Sequence, residues 1–405
     1  MKKISFVGDI MCEKPLMSAV AKYADGDYGN LFEGTKKYFE NSDIVIANLE
    51  TIFAGKEAGY TDDVYSFNTP DSFADALGQS GIDYVTTANN HCLDRGIDGA
   101  IRTLDKLDQQ GIKAFGTYRN KEERKAYESL NIDGFKIALI NYTYGTNVDQ
   151  NKVIFDADNH YYVNVLRSQK KDWEDYQKSL IPHTFRGKMS KVIRTFTNLE
   201  QRMKIKKRLG MLELKPSVEA YEPADLYQPY LDKLTRDIKL AKEQNDYVIV
   251  ILHSGSLFNP EIGKFTEEIV DRIEKAGVDA IIGHHPHIVK QITKINEMFV
   301  AYSLGNYSLS PSSIYVLHEH LPNYGLILNF YVDGTGIRRR TYSIIKMLES
   351  EKGLLDVLPV YDLQNKLSGS ALEELKTDVN QLRQRVEQKL VEDYDIHEEY
   401  DIKVI

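Results

Sequence analysis

The sequence predicts an α/β protein of layered, mixed β-sheets flanked by helices, with a helical insertion and a C-terminal helix. Three observations carry this. Apolar, β-branched runs alternate with amphipathic stretches along most of the chain. Five short polar motifs each follow such a run, where an open α/β sheet gathers its functional side chains. Asp333-Gly334-Thr335-Gly336, between two further runs, marks an antiparallel hairpin.

Strands are expected at 4–7, 44–47, 84–87, 137–140, 248–252, 280–282 and 298–301, with the hairpin at 326–332 and 340–345. Segments 70–79, 99–110 and 265–275 carry apolar residues at three- and four-residue spacing and are expected to be helices. The alternation covers sheets with helices, and the hairpin makes the sheets mixed, in two stacked layers. From about 163 to 215 the chain becomes basic, with Lys170, Lys171, Arg186, Lys188, Lys191, Arg194, Arg202, Lys204, Lys206, Lys207 and Arg208. This reads as a helical insertion between the two halves of the sheet, with Trp173, Tyr176, Leu180 and Ile181 available to pack. It is either a solvated helix surface or a basic lid or docking face for an anionic substrate or membrane surface. Near the C-terminal end, Leu372, Leu375, Val379, Leu382, Val386 and Leu390 fall at helical spacing. One long amphipathic helix is expected there, packed back on the domain or paired with a partner, followed by a mobile acidic tail at 392–401. The domain organisation is then 1–346, interrupted by the insertion, and a helical extension at 347–405.

Composition narrows the function. With 405 residues, 42% hydrophobic and 27% charged, the chain is that of a globular protein with a large core. A net charge of -9 argues against a general nucleic-acid binder, which needs a basic surface. Two cysteines, Cys12 and Cys92, make no disulfide framework. The N-terminal apolar stretch at 4–8 is shorter than a signal-peptide core, and no window approaches the roughly 18 apolar residues of a membrane span. The expected location is the cytoplasm, with association at a membrane surface left open.

The motifs point to metal chemistry. Asp9 follows Gly8, whose freedom is expected to let the backbone turn sharply. Glu50 follows Asn48 at the end of the second strand, where a carboxylate can bridge two cations. In Asn90-His91-Cys92-Leu93-Asp94, Asn90 offers an amide oxygen, while Asp94 is spaced to orient His91 for proton transfer. His253 ends a wholly apolar strand. Gly283-His284-His285-Pro286-His287 is the strongest signal, because three imidazoles in four positions are hard to explain as packing. Pro286 is expected to hold His285 and His287 extended, and Ser303-Leu304-Gly305-Asn306 to form another polar loop on the same rim. Together these read as a metal-dependent hydrolase scaffold.

In order and spacing, Gly8-Asp9, Asn48-Leu49-Glu50, Asn89-Asn90-His91, His253-Ser254-Gly255, the Gly283–His287 motif and Tyr302–Asn306 resemble the bacterial capsule-synthesis CapA family, linked to poly-γ-glutamate synthesis. Its fold is similar to that of calcineurin-like metallophosphoesterases, and the resemblance covers 4–346 apart from the insertion. It implies two divalent cations, Mn, Zn or Fe. Asp9 and His287 would hold the first, Asn90, His253 and His285 the second, with Glu50 bridging. His91, held by Asp94, then resembles the general acid for a leaving alkoxide in water attack on phosphorus. The chain departs from the pattern at Met11, where metallophosphoesterases place a histidine. A thioether binds hard cations poorly, so a weaker first site is expected; Cys12 is expected to be a small buried thiol. Two functions follow: a phosphoesterase-like hydrolase in cell-envelope polymer synthesis, or an accessory protein holding an anionic polymer in a capsule synthesis complex. The partner is an anionic polymer or a phosphorylated precursor, not nucleic acid.

Overall fold

The computed structural model describes residues 1–155, 159–179, 196–217, 219 and 224–403. The N-terminal half supplies β1 (Lys2–Ile10), β2 (Ile44–Leu49), β3 (Tyr84–Thr86), β4 (Lys113–Phe115), β5 (Glu128–Ile132) and β6 (Phe135–Thr143). The next part supplies β7 (Tyr247–His253), β8 (Ala280–His284), β9 (Ile292–Ile295), β10 (Met298–Ala301) and β11 (Asn306–Ser308). β12 (Tyr324–Asp333), β13 (Gly336–Glu349), β14 (Leu355–Pro359) and β15 (Tyr400–Asp401) complete the set. One sheet runs β14-β13-β12-β1-β2-β3-β4, with β11 on β1 and β15 on β13; the other runs β5-β6-β7-β8-β10-β9.

Alternation along the strands stacks these sheets face to face. Ile4, Phe6 and Ile46 share one apolar core with Ile137, Leu139, Ile249, Ile251 and Ile282 of the other sheet. The intervening residues Val7, Val45 and Ala47 point the opposite way, into a core with Phe32, Phe39, Phe73 and Leu77 from the helices Asn30–Glu40 and Asp71–Gly78. Ala138, Ile140, Val248 and Val250 likewise turn outward onto helices Ala224–Gln244 and Lys264–Lys275. A period of two therefore places the layers in the order helix, sheet, sheet, helix. This is the mixed, layered architecture expected, and of metallophosphatase-like form.

β1, β2 and β3 are mutually parallel, as are β6, β7 and β8, so their C-terminal ends gather functional side chains. Gly8 works differently from expectation. It is absent from the positive-φ residues; instead a Cβ there would lie 2.3 Å from the Gly305 carbonyl oxygen. Its bare backbone lets Asp9 N–H donate to Gly305 O at 3.0 Å, beside a register shift in β1.

The C-terminal helix spans Ser370–Glu387 and packs Leu375, Val379, Leu382 and Val386 into the inter-sheet core, leaving Leu390 exposed beyond its end. The acidic tail differs from the mobile segment expected. Ile396 and Tyr400 are buried, β15 pairs with β13, and Glu399 accepts from Tyr331 and Thr341. Within the basic segment, Val163, Val165 and Leu166 are buried core residues. Helix Lys170–Ser179 buries none of its side chains, so Trp173 and Tyr176 pack on each other and beside Lys152 rather than into a core. Leu180, Ile181, Arg186, Lys188, Lys191 and Arg194 lie outside the described residues. Among the described residues no helix is long and apolar enough to cross a membrane.

Candidate metal centre

Asp9 stands near the end of β1, Glu50 just after β2, Asn90 in the loop after β3, His253 at the end of β7, and His285 and His287 just after β8. The fold brings them into two groups sharing Glu50. Asp9, Glu50 and His287 form one, and Glu50, His253 and His285 the other, with ligand atoms in each group within 4.8 Å of one another and all residues buried. His253 Nε2 lies 3.4 Å from Glu50 Oε1 and 2.7 Å from Asn90 Oδ1, which joins Asn90 to the second group. His287 Nε2 lies 3.7 Å from the same Glu50 oxygen.

The loop that delivers the histidines is strained. His285 and His287 have φ of 94° and 55°, so Pro286 does not hold them extended as its chemistry suggested. Positive φ in a non-glycine residue costs on the order of 1–3 kcal/mol and persists where surrounding structure enforces it. Asn306 supplies part of that enforcement. Its amide nitrogen donates to the carbonyls of His287 and Pro322, both at 2.9 Å, which turns its oxygen toward His287 Nδ1 at 2.9 Å. His287 Nδ1–H is thereby committed to Asn306, and Nε2 is left for the centre.

Charge is distributed unevenly. Asp9 Oδ1 accepts from Asn48 Nδ2 at 2.8 Å and lies 3.0 Å from His284 Nδ1; Oδ2 accepts from His285 N–H at 3.1 Å. Burial opposes its ionisation, yet the contact with His284 holds it below the usual carboxylate range. Glu50 is the reverse: both its buried oxygens lack a hydrogen-bond donor, and burial raises its pKa despite His287. Burial also lowers His253, to about 3, and His285, well below the ordinary histidine value, so both imidazoles are neutral and able to donate lone pairs. His285 Nδ1 likewise has no partner. A buried polar group without a partner is costly. An acceptor-only carboxylate facing neutral imidazoles is satisfied by a cation, so the donor set fits divalent metal ions.

His91 and Asp94 form a pair on the wall of the adjoining cleft. His91 Nδ1 lies 2.6 Å from Asp94 Oδ2, which also accepts from Phe67 N–H at 2.6 Å, and the His91 ring rests on Phe67 at 4.2 Å between centroids. Burial disfavours charge on His91, but Asp94 and Glu50 raise its pKa overall. The cleft, about 360 Å³, is walled by Tyr65, Phe67, Tyr144, Phe258 and Tyr315, with Lys215 its one lysine or arginine among the described residues. A second hollow of about 280 Å³ shares no residue with it, and its Arg119 is already paired with Asp105, Asp108 and Glu123.

Met11 lines the cleft, and neither Cys12 nor Glu13 belongs to the buried groups that gather around Glu50. Cys12 is buried with its thiol pushed up by desolvation, and Glu13 accepts from Ser310 N–H and the Tyr315 hydroxyl. Sequence reasoning missed the supporting roles of His284, Asn48, Asn306 and Asn147. The first three stood inside recognised motifs, but their side-chain directions were not legible. Asn147, 3.3 Å from His91 Nδ1, stands in a loop without a motif.

Stacked mixed sheets between helices, with buried carboxylates and histidines gathered at their strand ends, make a metallophosphatase-like layered fold whose buried groups could hold a metal ion. The chain belongs to the bacterial capsule synthesis protein family PGA_cap, whose model matches residues 3–310. It is 22% identical over 307 residues to the capsule biosynthesis protein CapA of Bacillus anthracis, covering 75% of this chain and 59% of that protein. It is 23% identical over 305 residues to the PGA biosynthesis protein CapA of Bacillus subtilis (strain 168), covering 75% and 62%. The chain thus spans about three fifths of the length of these relatives.

Proposed function

We propose that the chain is a metal-dependent, phosphoesterase-like hydrolase acting in the synthesis of a capsule or poly-γ-glutamate cell-envelope polymer. The observation that carries this reading is Glu50, a buried carboxylate with two unpartnered oxygens, between His253 and His285 on one side and Asp9 and His287 on the other, beside a cleft. In this reading Asp9 and His287 would hold one cation, Asn90, His253 and His285 a second, and Glu50 would be shared between them. Bound Mn, Zn or Fe supplies an acidified water and stabilises charge on phosphorus.

The rest is the work of the chain itself. Asp94 takes up His91 Nδ1, leaving Nε2 for the cleft, and raises the pKa so that a proton is held there for a leaving oxygen. Phe67 supports the ring face, and the Asn147 amide stands beside it. The aromatic walls exclude water and offer flat faces to the non-reacting part of a substrate.

The test is turnover of p-nitrophenyl phosphate and bis-p-nitrophenyl phosphate after loading with Mn, Zn or Fe. His91→Ala is expected to keep its metal and lose roughly 10²- to 10⁴-fold in turnover. Undiminished turnover would remove His91 from the chemistry. Metal-dependent binding of poly-γ-glutamate without turnover by the loaded wild type would return the accessory, polymer-holding role.

A further inference from the structure

A second feature of the surface is unrelated to the metal ligands. Among the described residues, Ile205, Leu209 and Met211 are 47%, 65% and 61% exposed, close together in one stretch. That stretch is firmly attached. In helix Leu199–Arg208, Asn198 and Gln201 close a capping box, Asp63 accepts from the N–H groups of Leu199 and Glu200 at 3.1 and 2.9 Å, and Met203 is buried. At about 100° per residue, the face opposite Met203 carries Ile205 and Leu209, flanked by Lys204 and Arg208. Gly210, at φ 63°, then ends the helix, with Gly210 N–H bonded to Lys207 O at 3.1 Å and Met211 N–H to Lys206 O at 2.8 Å. These paired bonds close the last turn and bring Met211 back beside it. Leu212 and Leu214 then return to the core, and Leu214 and Lys215 form part of the cleft wall.

Residues 199–215 contain Arg202, Lys204, Lys206, Lys207, Arg208 and Lys215 against Glu200 and Glu213, a balance of +4 in a chain of net charge -9. A purely solvated charged face has no use for three exposed apolar side chains. A soluble polyanion would engage the cations and leave those side chains in water. An anionic bilayer takes both, with the apolar groups entering the acyl boundary and the cations meeting lipid phosphates. We infer that the turn centred on Ile205, Leu209 and Met211 docks this protein on an anionic lipid surface, with the mouth of the cleft beside it. The inference stands whether or not the metal centre hydrolyses a phosphoester.

Cosedimentation of the full chain with phosphatidylglycerol–phosphatidylcholine vesicles, against pure phosphatidylcholine, tests it. Binding is expected to the anionic vesicles only and to weaken with added salt. Lys206→Gln with Lys207→Gln is expected to weaken it about thirtyfold. Ile205→Ser with Leu209→Ser is expected to weaken it about a hundredfold while leaving circular dichroism and metal content unchanged. No binding by the wild type would overturn the inference. So would binding that survives Ile205→Ser with Leu209→Ser and is displaced by poly-γ-glutamate, which would make the face a polyanion site. A wild-type dimer split by the same pair of substitutions would instead assign the face to a second copy of the chain.

Discussion

The two halves of the metal centre share Glu50 and differ in almost everything else. Around Asp9 the carboxylate accepts from Asn48 and the His285 N–H and lies 3.0 Å from His284 Nδ1, and the Met11 thioether lines the adjoining cleft. Around His253 and His285 the ligands are neutral, Asn90 adds an amide oxygen, and Glu50 and His285 carry unpartnered atoms. The contrast teaches that preorganisation and readiness for a cation are distinct. A cation would displace a hydrogen bond on either side, Asn48 to Asp9 on one and His253 to Asn90 on the other, but only the second side adds the unpartnered His285 Nδ1 to the bare oxygens of Glu50.

The largest effect is expected from the shared residue. Glu50→Gln should abolish tight binding at both positions, read by metal content after gel filtration. The same substitution should alter the metal-free protein in the opposite sense. Because burial raises the Glu50 pKa in the folded state, stability without metal should fall as pH rises from the ordinary glutamate range through the raised folded value. Glu50→Gln should flatten that fall in chelator-treated melts; an unchanged slope would mean that Glu50 is not the unsatisfied group described here.

Next in size, His285→Ala should empty the second position while the first keeps its weaker cation. Asn306→Ala should act only on the first, through a freed His287 ring, lowering its affinity roughly 10- to 100-fold in isothermal titration. Equal losses at both positions would erase the comparison. The smallest expected change is a gain. Met11→His should tighten the first position by adding an imidazole to a set that holds only one, and no tightening would show that Met11 is not what limits it.

How much of this was legible in the sequence depended on the length scale of each signal. β1, β2, β7 and β8 announced themselves because their apolar runs are buried on both faces, and the motifs at their ends gave the residues that gather at the candidate centre. β4, β11 and β15 are two or three residues long and lack the aromatic and β-branched run, Tyr84-Val85-Thr86-Thr87, that marked the equally short β3. The conformations of His285 and His287 were misjudged because a proline restricts its neighbours only statistically, whereas Asn306, nearly twenty positions on, helps fix the loop. Glu399 in the acidic tail looked mobile because its partners, Tyr331 and Thr341, are distant in sequence.

The most direct test of the central claim is metal per chain, measured by elemental mass spectrometry on protein purified without chelator, for the wild type and His285→Ala. The account predicts up to two transition-metal ions per wild-type chain, with the firmly held one lost in His285→Ala. No metal in the wild type, even after incubation with manganese or zinc, would contradict it, as would a metal content that His285→Ala leaves unchanged.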